Sequence, residues 1–315
     1  MILVCGEALV DLFVNPGDPS GTSLNACVGG SPFNLARGVS RLDVPTAYLG
    51  GISTDHFGSL LVEAALSEGI DMSLVKHSSR PSPLVVVSPD SSGHPSYAFY
   101  AHHTAEGDFQ PADLPAQIPE AIAAIAMGSV ALALEPIGNT LLTLAKREAR
   151  RRVISLDPNL RPTMVGPLDA WRTRIDALAD HAAIIKLSEE DFLTGWPQAE
   201  PEELFGAWLS RGVSLVVMTR GSAGASAWCS AGRTNQPAIA VPVIDAVGAG
   251  DGFHAALLAR LLQTGRLNRE ALALIDLDAV EDAVRYAAVA AGLTCGRRGA
   301  DLPRRLDVEA AFRAD

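Results

Sequence analysis

Alternation of strand-like and helix-like segments restricts the fold of this chain more than any other sequence feature. The strand-like segments, short and rich in apolar or β-branched residues, are residues 129–134, 153–156, 183–186 and 215–219. The segments between them, with apolar residues at helical spacing, are residues 139–151, 168–179 and 202–210. This order predicts an α/β fold with a doubly wound, mainly parallel sheet and helices on both faces.

Polar or glycine-containing motifs follow the predicted strands. They are residues 157–161, 186–191, 219–221 and 245–251, the last preceded by a further predicted strand at residues 238–244. Ligands of open α/β sheets bind at the carboxyl ends of the strands. We therefore expect these motifs to meet at one edge of the sheet and to form the functional site.

The most distinctive motif is the glycine turn, residues 245–250, which is followed by Asp251 and a predicted helix. Glycines in the turn allow positive φ angles and leave successive N–H groups uncovered. The helix N-terminus adds the positive end of its dipole, so the turn predicts an anion site, typically for phosphate. Asp251 has two interpretations at this stage: a base for a hydroxyl that attacks phosphorus, or an N-cap of the helix.

The first third of the chain contains elements that interrupt the alternation. Predicted there are strands at residues 11–14 and 46–49, a loop at 15–25, and helices at 33–42 and 55–66. Residues 83–88 and 96–100 are β-like and are joined by a turn-rich segment, which predicts a hairpin. We expect this hairpin to stand apart from the main sheet.

Charge and composition argue against several classes of protein. The net charge of −11 is opposite to that of a nucleic-acid or anionic-membrane binder. No apolar run reaches the roughly 18 residues of a membrane span. The four cysteines are far apart in sequence, as in a protein with reduced thiols. We expect a cytoplasmic protein with a single domain over residues 1–315.

Several familiar motifs of nucleotide-binding proteins and hydrolases are missing from the sequence. Phe253 occupies the position of the third glycine in a dinucleotide fingerprint GxGxxG. No Gly-Lys pair is present for a Walker phosphate loop, and no GxSxG motif for a serine hydrolase. The glycine turn therefore needs another explanation.

The motifs of this chain, taken together, resemble the PfkB (ribokinase-like) family of carbohydrate kinases nearly from end to end. They are Gly6-Glu7 with Asp11, Gly29-Gly30 with Asn34, Gly50-Gly51 with Asp55 to Gly58, Asp157 to Arg161, Asp245 to Asp251, and Gly299-Ala300. The resemblance implies phosphoryl transfer from ATP to a sugar hydroxyl. It also implies a small β-lid over the sugar, formed by about residues 11–24 and 83–102.

The resemblance assigns roles to individual residues. Asp251 corresponds to the general base of the family, and the amides of Gly248, Ala249 and Gly250 to its anion hole. The implied sugar-binding residues are Asp11, Gly29, Gly30, Asn34, Tyr100 and Arg161. The implied ATP-binding residues are Lys186, Thr219, Gly221, Gly248 and Gly250.

Cations are implied on the nucleotide side. Family members often carry an Asn-xx-Glu motif that organises water around Mg²⁺, and here the matching residues are Ser188 and Asp191. Glu190 and Asp191 are therefore the residues expected to act on Mg²⁺ through water. Asp245 is expected near a monovalent cation such as K⁺.

The residue after the lid aromatic favours a neutral sugar. Relatives in the fructokinase and 2-keto-3-deoxygluconate kinase branches usually carry Arg there, whereas Ala101 follows Tyr100 in this chain. Without that cation an acidic sugar lacks a partner for its carboxylate, so fructose is expected first. The alternatives are a 2-keto-3-deoxygluconate kinase, another sugar or nucleoside kinase, and a non-catalytic sugar- or nucleotide-binding relative. The expected partners are the sugar, ATP and a second copy of the chain bound through the lid.

Overall fold

The structure, a computed structural model, describes residues 1–15, 22–89 and 95–314. In chain order the strands are β1 (Ile2–Cys5), β2 (Leu9–Asn15), β3 (Ser23–Gly29), β4 (Thr46–Leu49), β5 (Gly51–Ser53), β6 (Lys76–Ser78), β7 (Leu84–Pro89), β8 (Pro95–Tyr100), β9 (Ala124–Gly128), β10 (Val153–Asp157), β11 (Ile184–Ser188), β12 (Leu215–Thr219), β13 (Ala225–Cys229) and β14 (Gly232–Gln236). The helices are α1 (Ser31–Arg41), α2 (His56–Ser67), α3 (Ile137–Glu148), α4 (Leu168–Ala179), α5 (Glu189–Gly195), α6 (Pro201–Ser210), α7 (Ala249–Gln263), α8 (Arg269–Ala273), α9 (Leu277–Cys295) and α10 (Arg305–Ala314).

The main sheet has eight strands in the order β14-β13-β12-β11-β10-β9-β1-β4. The strands from β12 to β4 are parallel to one another. β13 and β14 extend one side as an antiparallel hairpin. The predicted doubly wound, mainly parallel α/β fold is confirmed. The carboxyl ends of β1, β9, β10, β11 and β12 therefore lie at one edge, which we call the catalytic edge.

Each central strand contributes to two hydrophobic cores because successive side chains point to opposite faces of the sheet. In β1, Ile2 and Val4 belong to the core that includes residues of α1, α7 and α9. Leu3 and Cys5 belong to the core that includes residues of α3, α4 and α6. With both faces covered, apolar residues are favoured at nearly every position of these strands.

The lid is a separate four-stranded sheet in the order β3-β2-β7-β8. β3 was not predicted, because residues 15–25 were interpreted as a loop. Residues 23–27 of this edge strand are exposed, so no alternation of buried and exposed side chains marks them as a strand. Residues 16–21 and 90–94, which the predicted lid segments include, lie outside the described residues.

Two of the strands predicted after the lid hairpin are wrong. The strand expected at residues 129–134 lies at Ala124–Gly128, and residues 129–132 form a 3₁₀ turn. The apolar run there is longer than one strand, and its register is set by pairing with β1 and β10. Residues 238–244 pair with no strand of the described chain. The alternation there has another cause, because Ile239 and Val241 lie against Gly292 of α9.

The described helices include none that is both long and apolar enough to cross a membrane.

Candidate active site

Asp251 lies in the first turn of α7, where it meets the first turn of α1. Its Oδ1 accepts a hydrogen bond of 2.6 Å from Ser31 Oγ, and its Oδ2 accepts one of 3.0 Å from Asn34 Nδ2. Gly248 occupies the N-cap position and Asp251 is the third helical residue, so the N-cap interpretation is wrong. The structure therefore joins the two motifs that the sequence placed more than 200 residues apart.

Burial controls the acidity of Asp251. Loss of hydration raises its pKa to about 6, although the hydrogen bonds from Ser31 and Asn34 oppose the shift. The nearby charges of Asp157 and Lys186 act in opposite directions, the former raising and the latter lowering this pKa. A carboxylate with such a pKa is ionised at neutral pH and is still basic enough to take a proton.

The glycine turn presents unpaired amides next to Asp251. The Ala249 amide donates to the Ala246 carbonyl at 3.2 Å, whereas the described residues offer the Gly248 and Gly250 amides no acceptor. Gly248 has a φ of 79°, a left-handed conformation that favours glycine. Gly250 does not have positive φ, contrary to expectation, but a Cβ at this position would lie 3.1 Å from Lys186 Nζ. Two free amides, a helix N-terminus and an ammonium group thus face one space, as an anion site requires.

Lys186 belongs to a buried polar chain under the glycine turn. Its Nζ donates to Asp157 Oδ2 at 2.8 Å, and both side chains are almost fully buried. Burial alone would lower the pKa of Lys186, but the Asp157 carboxylate raises it, so the ammonium group stays charged. His254 Nδ1 lies 3.9 Å from the same Asp157 oxygen, and His254 Nε2 lies 2.7 Å from Ser155 Oγ. Burial lowers the pKa of His254 to about 3, which keeps the ring neutral.

The loop after β10 is tied to the start of α5 by Asp191. One carboxylate oxygen accepts from the Leu160 amide at 2.8 Å and the other from the Ser188 amide at 3.0 Å. Ser188 Oγ in turn accepts from the Asp191 amide, which completes a capping box. Asp191 thus holds two loops together, while its neighbour Glu190 is exposed at the catalytic edge. Arg161 is exposed as well, and its guanidinium donates to the Leu160 carbonyl.

Asp245 connects the glycine turn with the loop after α9. Its Oδ1 accepts from the Val247 amide at 3.0 Å, and its Oδ2 accepts from the Gly299 amide at 2.9 Å. Ala300 lies so close to Gly248 that a Cβ on Gly248 would be 2.8 Å from the Ala300 Cβ. The Gly299-Ala300 motif therefore has a structural role, because it packs against the glycine turn at Gly248 and Asp245.

Thr219 and Gly221 follow β12 at the catalytic edge. Gly221 has a φ of 51° and open space around it. Thr219 is partly buried, and the Nε of Arg220 between them is buried without a hydrogen-bond partner in the described chain. These positions leave room for a ligand beside β11 and β12.

The sugar-side residues lie where β1 passes into the lid. Gly30 has a φ of 98°, and a Cβ there would lie 2.8 Å from the Glu7 carbonyl oxygen. Gly29 lies directly against the Asp11 carboxylate, so a larger residue at this position would displace that side chain. Burial raises the pKa of Asp11 to about 6. Asp11, Gly29 and Gly30 are thus brought together as predicted.

Tyr100 does not share the face of the lid that carries Asp11. Asp11 is paired with Val85, and Val85 with Phe99, so these three side chains point to one side. Tyr100 is paired with Leu84 and points to the other side, 61% exposed. The aromatic residue on the Asp11 face is therefore Phe99.

The sequence reasoning missed four polar residues of this region: Ser31, Ser155, Asp157 and His254. Ser31 could have been found, because it lies three residues before Asn34 and therefore on the same face of α1. Asp157 was noted only as part of its motif. Ser155 and His254 carry no local signal, since their contact joins positions 99 residues apart.

Comparison with known proteins identifies the family. The family model described as pfkB family carbohydrate kinase matches residues 1–305. The chain belongs to this family. It is 36% identical over 282 residues to a fructokinase of Rhizobium leguminosarum bv. trifolii, covering 90% of this chain and 86% of the relative. The expected phosphotransferase class, with an alcohol group as acceptor, follows from this membership.

Solved structures of similar proteins have the same fold. A fructokinase of Xylella fastidiosa with bound ATP superposes with a TM-score of 0.92 at 23% identity, over 99% of this chain and 98% of the other. A double mutant of the Vibrio cholerae fructokinase, described with fructose, ADP and potassium, superposes with a TM-score of 0.85 at 26% identity. That match covers 99% of this chain and 97% of the other.

Proposed function

We propose that this pfkB-family enzyme is an ATP-dependent fructokinase. The observation that carries the proposal is the buried Asp251 carboxylate beside the free amides of Gly248 and Gly250, in contact with Ser31 and Asn34 of the sugar-side helix. The sequence of this chain is 36% identical to that of the Rhizobium fructokinase, and its fold is that of solved fructokinase structures. Both similarities support fructose as the acceptor.

The proposed reaction is a direct phosphoryl transfer. A sugar hydroxyl oxygen attacks the γ-phosphorus, its proton passes to Asp251, and the bond between the γ-phosphorus and the bridging oxygen breaks to release ADP. The amides of Gly248 and Gly250, together with Lys186, stabilise the negative charge that develops on the transferred group. Asp11, Gly29, Gly30 and Asn34 hold the sugar, with Phe99 rather than Tyr100 on the lid side. Thr219, Gly221 and Arg161 border the nucleotide and the transferred phosphate.

The residues at the catalytic edge fit a magnesium ion that nucleotide phosphates and water hold for the most part. Among the described residues no group of three or more His, Cys, Asp or Glu side chains could hold a metal by itself. Mg²⁺ in kinases uses only one or two carboxylates from the protein. Here Asp157 Oδ1 is buried without a partner in the described chain. Glu190 is exposed, four residues after Lys186. We propose Asp157 and Glu190 for this role, since both oxygens of Asp191 accept backbone N–H groups. When bound, the ion neutralises phosphate charge.

A monovalent cation, K⁺, is proposed beside Asp245. The Vibrio fructokinase described with potassium supports the ion. The position of Asp245, between the glycine turn and Gly299, supports the site, because a cation there would stabilise both loops.

A homodimer through the lid is also proposed. β3 and β8 are the edge strands of the lid, and unpaired edges invite a further strand. Leu24 and Tyr97 on these strands are 44% and 51% exposed, so a partner lid would cover them.

A coupled assay of ADP release over fructose, other neutral sugars, nucleosides and 2-keto-3-deoxygluconate tests the function. We expect fructose to have a higher kcat/KM than the sugar acid at pH 8, because Ala101 offers no cation to a carboxylate. A better reaction with the acid would contradict the choice of fructose. Failure to consume ATP with any acceptor would instead support a non-catalytic binding protein.

Asp251→Asn tests the base. This variant should bind ATP but lose kcat by about 10²–10⁴, the usual contribution of a positioned acid or base. The matched control is Asp278→Asn, because Asp278 is an exposed acid in the first turn of α9. Near-normal turnover of Asp251→Asn would refute the assignment of the base.

A further inference from the structure

The lysine and arginine side chains that lack a carboxylate partner are not scattered over the molecule. Most basic side chains of the described chain form ion pairs with Asp or Glu. Some basic side chains have no Asp or Glu of the described chain within salt-bridge distance. They include Arg161, Arg220, Arg298, Lys146, Arg150, Arg151 and Arg269. They fall into two groups at opposite edges of the sheet, and the first three lie on the side of the catalytic edge, where we place the phosphate groups of ATP.

Three members of the second group, Lys146, Arg150 and Arg269, line a cavity of about 530 Å³, which we call the basic cavity. Its charged lining consists of Lys146, Arg147, Arg150, Arg211 and Arg269 with His181, and the acid among its lining residues is Asp180. Asp180 is already paired with Arg211, at 2.9 Å. In a protein with a net charge of −11, such a concentration of positive charge has to be explained.

The basic cavity lies at the edge of the sheet opposite the catalytic edge. Its lining residues Ala149, Ala182 and Gly212 come shortly before β10, β11 and β12, whereas Asp157 and Thr219 of the candidate site are the last residues of β10 and β12. A strand of five residues, such as β10, spans roughly 17 Å at about 3.3 Å per residue. The basic cavity is therefore separate from the nucleotide and sugar sites.

Helix dipoles explain only part of this charge. α3, α4 and α6 end near the cavity, and the negative end of a helix favours basic residues such as Lys146 and Arg147. Arg269, however, is the first residue of α8, where the dipole disfavours a cation. Its placement with Lys146 and Arg150 around one cavity points to an anionic ligand.

The state of His181 agrees with a positive potential in the cavity. Burial lowers its pKa, and the neighbouring charge of Lys146 lowers it further, while Asp180 raises it. A bound anion would reverse the effect of Lys146.

We propose that the basic cavity binds a small molecule that carries at least two phosphate groups. Its volume is within the range of sites for small ligands, roughly 300–1,000 Å³, and is too small for a folded partner. Arginine forks bind phosphate oxygens in pairs, and Arg150 and Arg269 have no competing carboxylate. Each phosphate carries about 1.5–2 negative charges at neutral pH, so two of them balance the unpaired cations that line the cavity. The proposal does not depend on the identity of the sugar.

Calorimetric titration with inorganic tripolyphosphate, in metal-free buffer at fixed ionic strength, tests the site. Tripolyphosphate also has access to the catalytic edge, so single Arg→Gln variants of equal charge identify where it binds. We expect one binding event of the wild type to weaken at least tenfold in Arg269→Gln and in Arg150→Gln. The same event should persist in Arg220→Gln at the catalytic edge and in Arg151→Gln, which does not line the cavity.

Three results would overturn the proposal: no binding to the wild type at millimolar probe, binding lost only in Arg220→Gln, or equal weakening in Arg151→Gln and Arg269→Gln. Absence of binding would exclude the site, and loss of binding only in Arg220→Gln would assign the probe to the nucleotide site. Equal weakening in Arg151→Gln and Arg269→Gln would show that the probe responds only to the overall charge of the protein. Unchanged melting temperatures of Arg150→Gln and Arg269→Gln, both exposed positions, show that the variants are folded.

Discussion

At the scale of single residues, the surroundings of Asp251 set the pH at which the proposed base can act. Its pKa of about 6 results from burial, partly offset by hydrogen bonds from Ser31 and Asn34. Only the ionised carboxylate accepts a proton. We therefore expect kcat/KM to be half its maximum near pH 6, to become constant at higher pH, and to fall about tenfold per pH unit well below pH 6.

Ser31→Ala should move this acidic limb to higher pH. The hydroxyl stabilises the charged form of Asp251, so its removal raises the pKa of the carboxyl group. The pH dependence of kcat/KM is the measurement, with Ser67→Ala on the surface of α2 as the control. An acidic limb that coincides with that of the wild type would show that Ser31 has no influence on the base.

The residue scale also shows what sequence patterns can and cannot reveal. Asp251 and Asn34 were predicted because each belongs to a motif with a recognisable spacing. Ser155 and His254 were not, because their bond depends on the packing of α7 against the sheet. Tyr100 was expected near the sugar, but its side chain lies on the face of the lid opposite Asp11, because the sequence does not fix the register of β8 against β7.

At the scale of elements, we propose that the glycine turn and α7 act together as one anion-binding unit. Gly250→Val should lower kcat by about 10–10², because its side chain would displace Lys186 Nζ from below the phosphate site. The reason differs from the expected one, since Gly250 does not have positive φ. Steady-state kinetics provide the measurement.

Gly206→Val is the matched control for Gly250→Val. Gly206 also lies in a helix, α6, but a Cβ there meets no atom within 4 Å. Its kinetics should therefore match those of the wild type. Equal losses in both variants would indicate a general effect of valine on helices.

Segments with a clear apolar period were located well from the sequence, and α4 and β12 have the predicted bounds. Residues 238–244 show why periodicity alone is insufficient. Alternating apolar residues can face a helix as well as a sheet, and Ile239 and Val241 do so at Gly292. Whether a strand forms depends on a neighbour with free backbone groups, which local sequence does not specify.

At the scale of the whole molecule, two buried carboxyl groups make stability depend on pH. Burial raises the pKa of Glu7 to about 7, against hydrogen bonds from Ser129 and Ala131. Burial and the charge of Glu7 raise the pKa of Glu106 well above its usual value, and neither Glu106 oxygen has a partner in the described chain. Raised pKa values in the folded state mean that the protonated forms fit the fold best.

The stabilisation from Glu7 should be complete below the pKa of an unfolded glutamate, near 4.5, and lost as the pH rises through about 7. That from Glu106, whose pKa is also raised, should likewise decrease as the pH rises. We expect the free energy of unfolding in urea to be lower at pH 8 than at pH 5, by about 1.4 kcal/mol per unit of pKa shift. Glu106→Gln should reduce this difference, whereas Glu63→Gln on the surface should not. An equal pH dependence in both variants would contradict this explanation.

The parallel order of the central strands followed from the alternation in sequence, because a strand-helix-strand unit has few ways to close. The β13-β14 hairpin and the lid strand β3 did not, because β14 and β3 are partly exposed edge strands, and β13, although buried, consists mostly of small residues without a strong apolar pattern. The basic cavity was also beyond sequence reasoning, since its residues come from the ends of four helices.

The contact between α1 and α7 has a consequence for the state in which ATP is bound and the sugar is not. Both oxygens of Asp251 already accept hydrogen bonds, so any hydroxyl group that is to be deprotonated must share an acceptor with Ser31 or Asn34. A sugar that is held by several groups can share an acceptor in this way, because its binding energy offsets any weakening of the bonds from Ser31 and Asn34. A single water molecule makes fewer contacts with the protein and has no comparable binding energy. In the proposed mechanism, the bonds that orient Asp251 would therefore favour the sugar hydroxyl over water as the group that receives the phosphate.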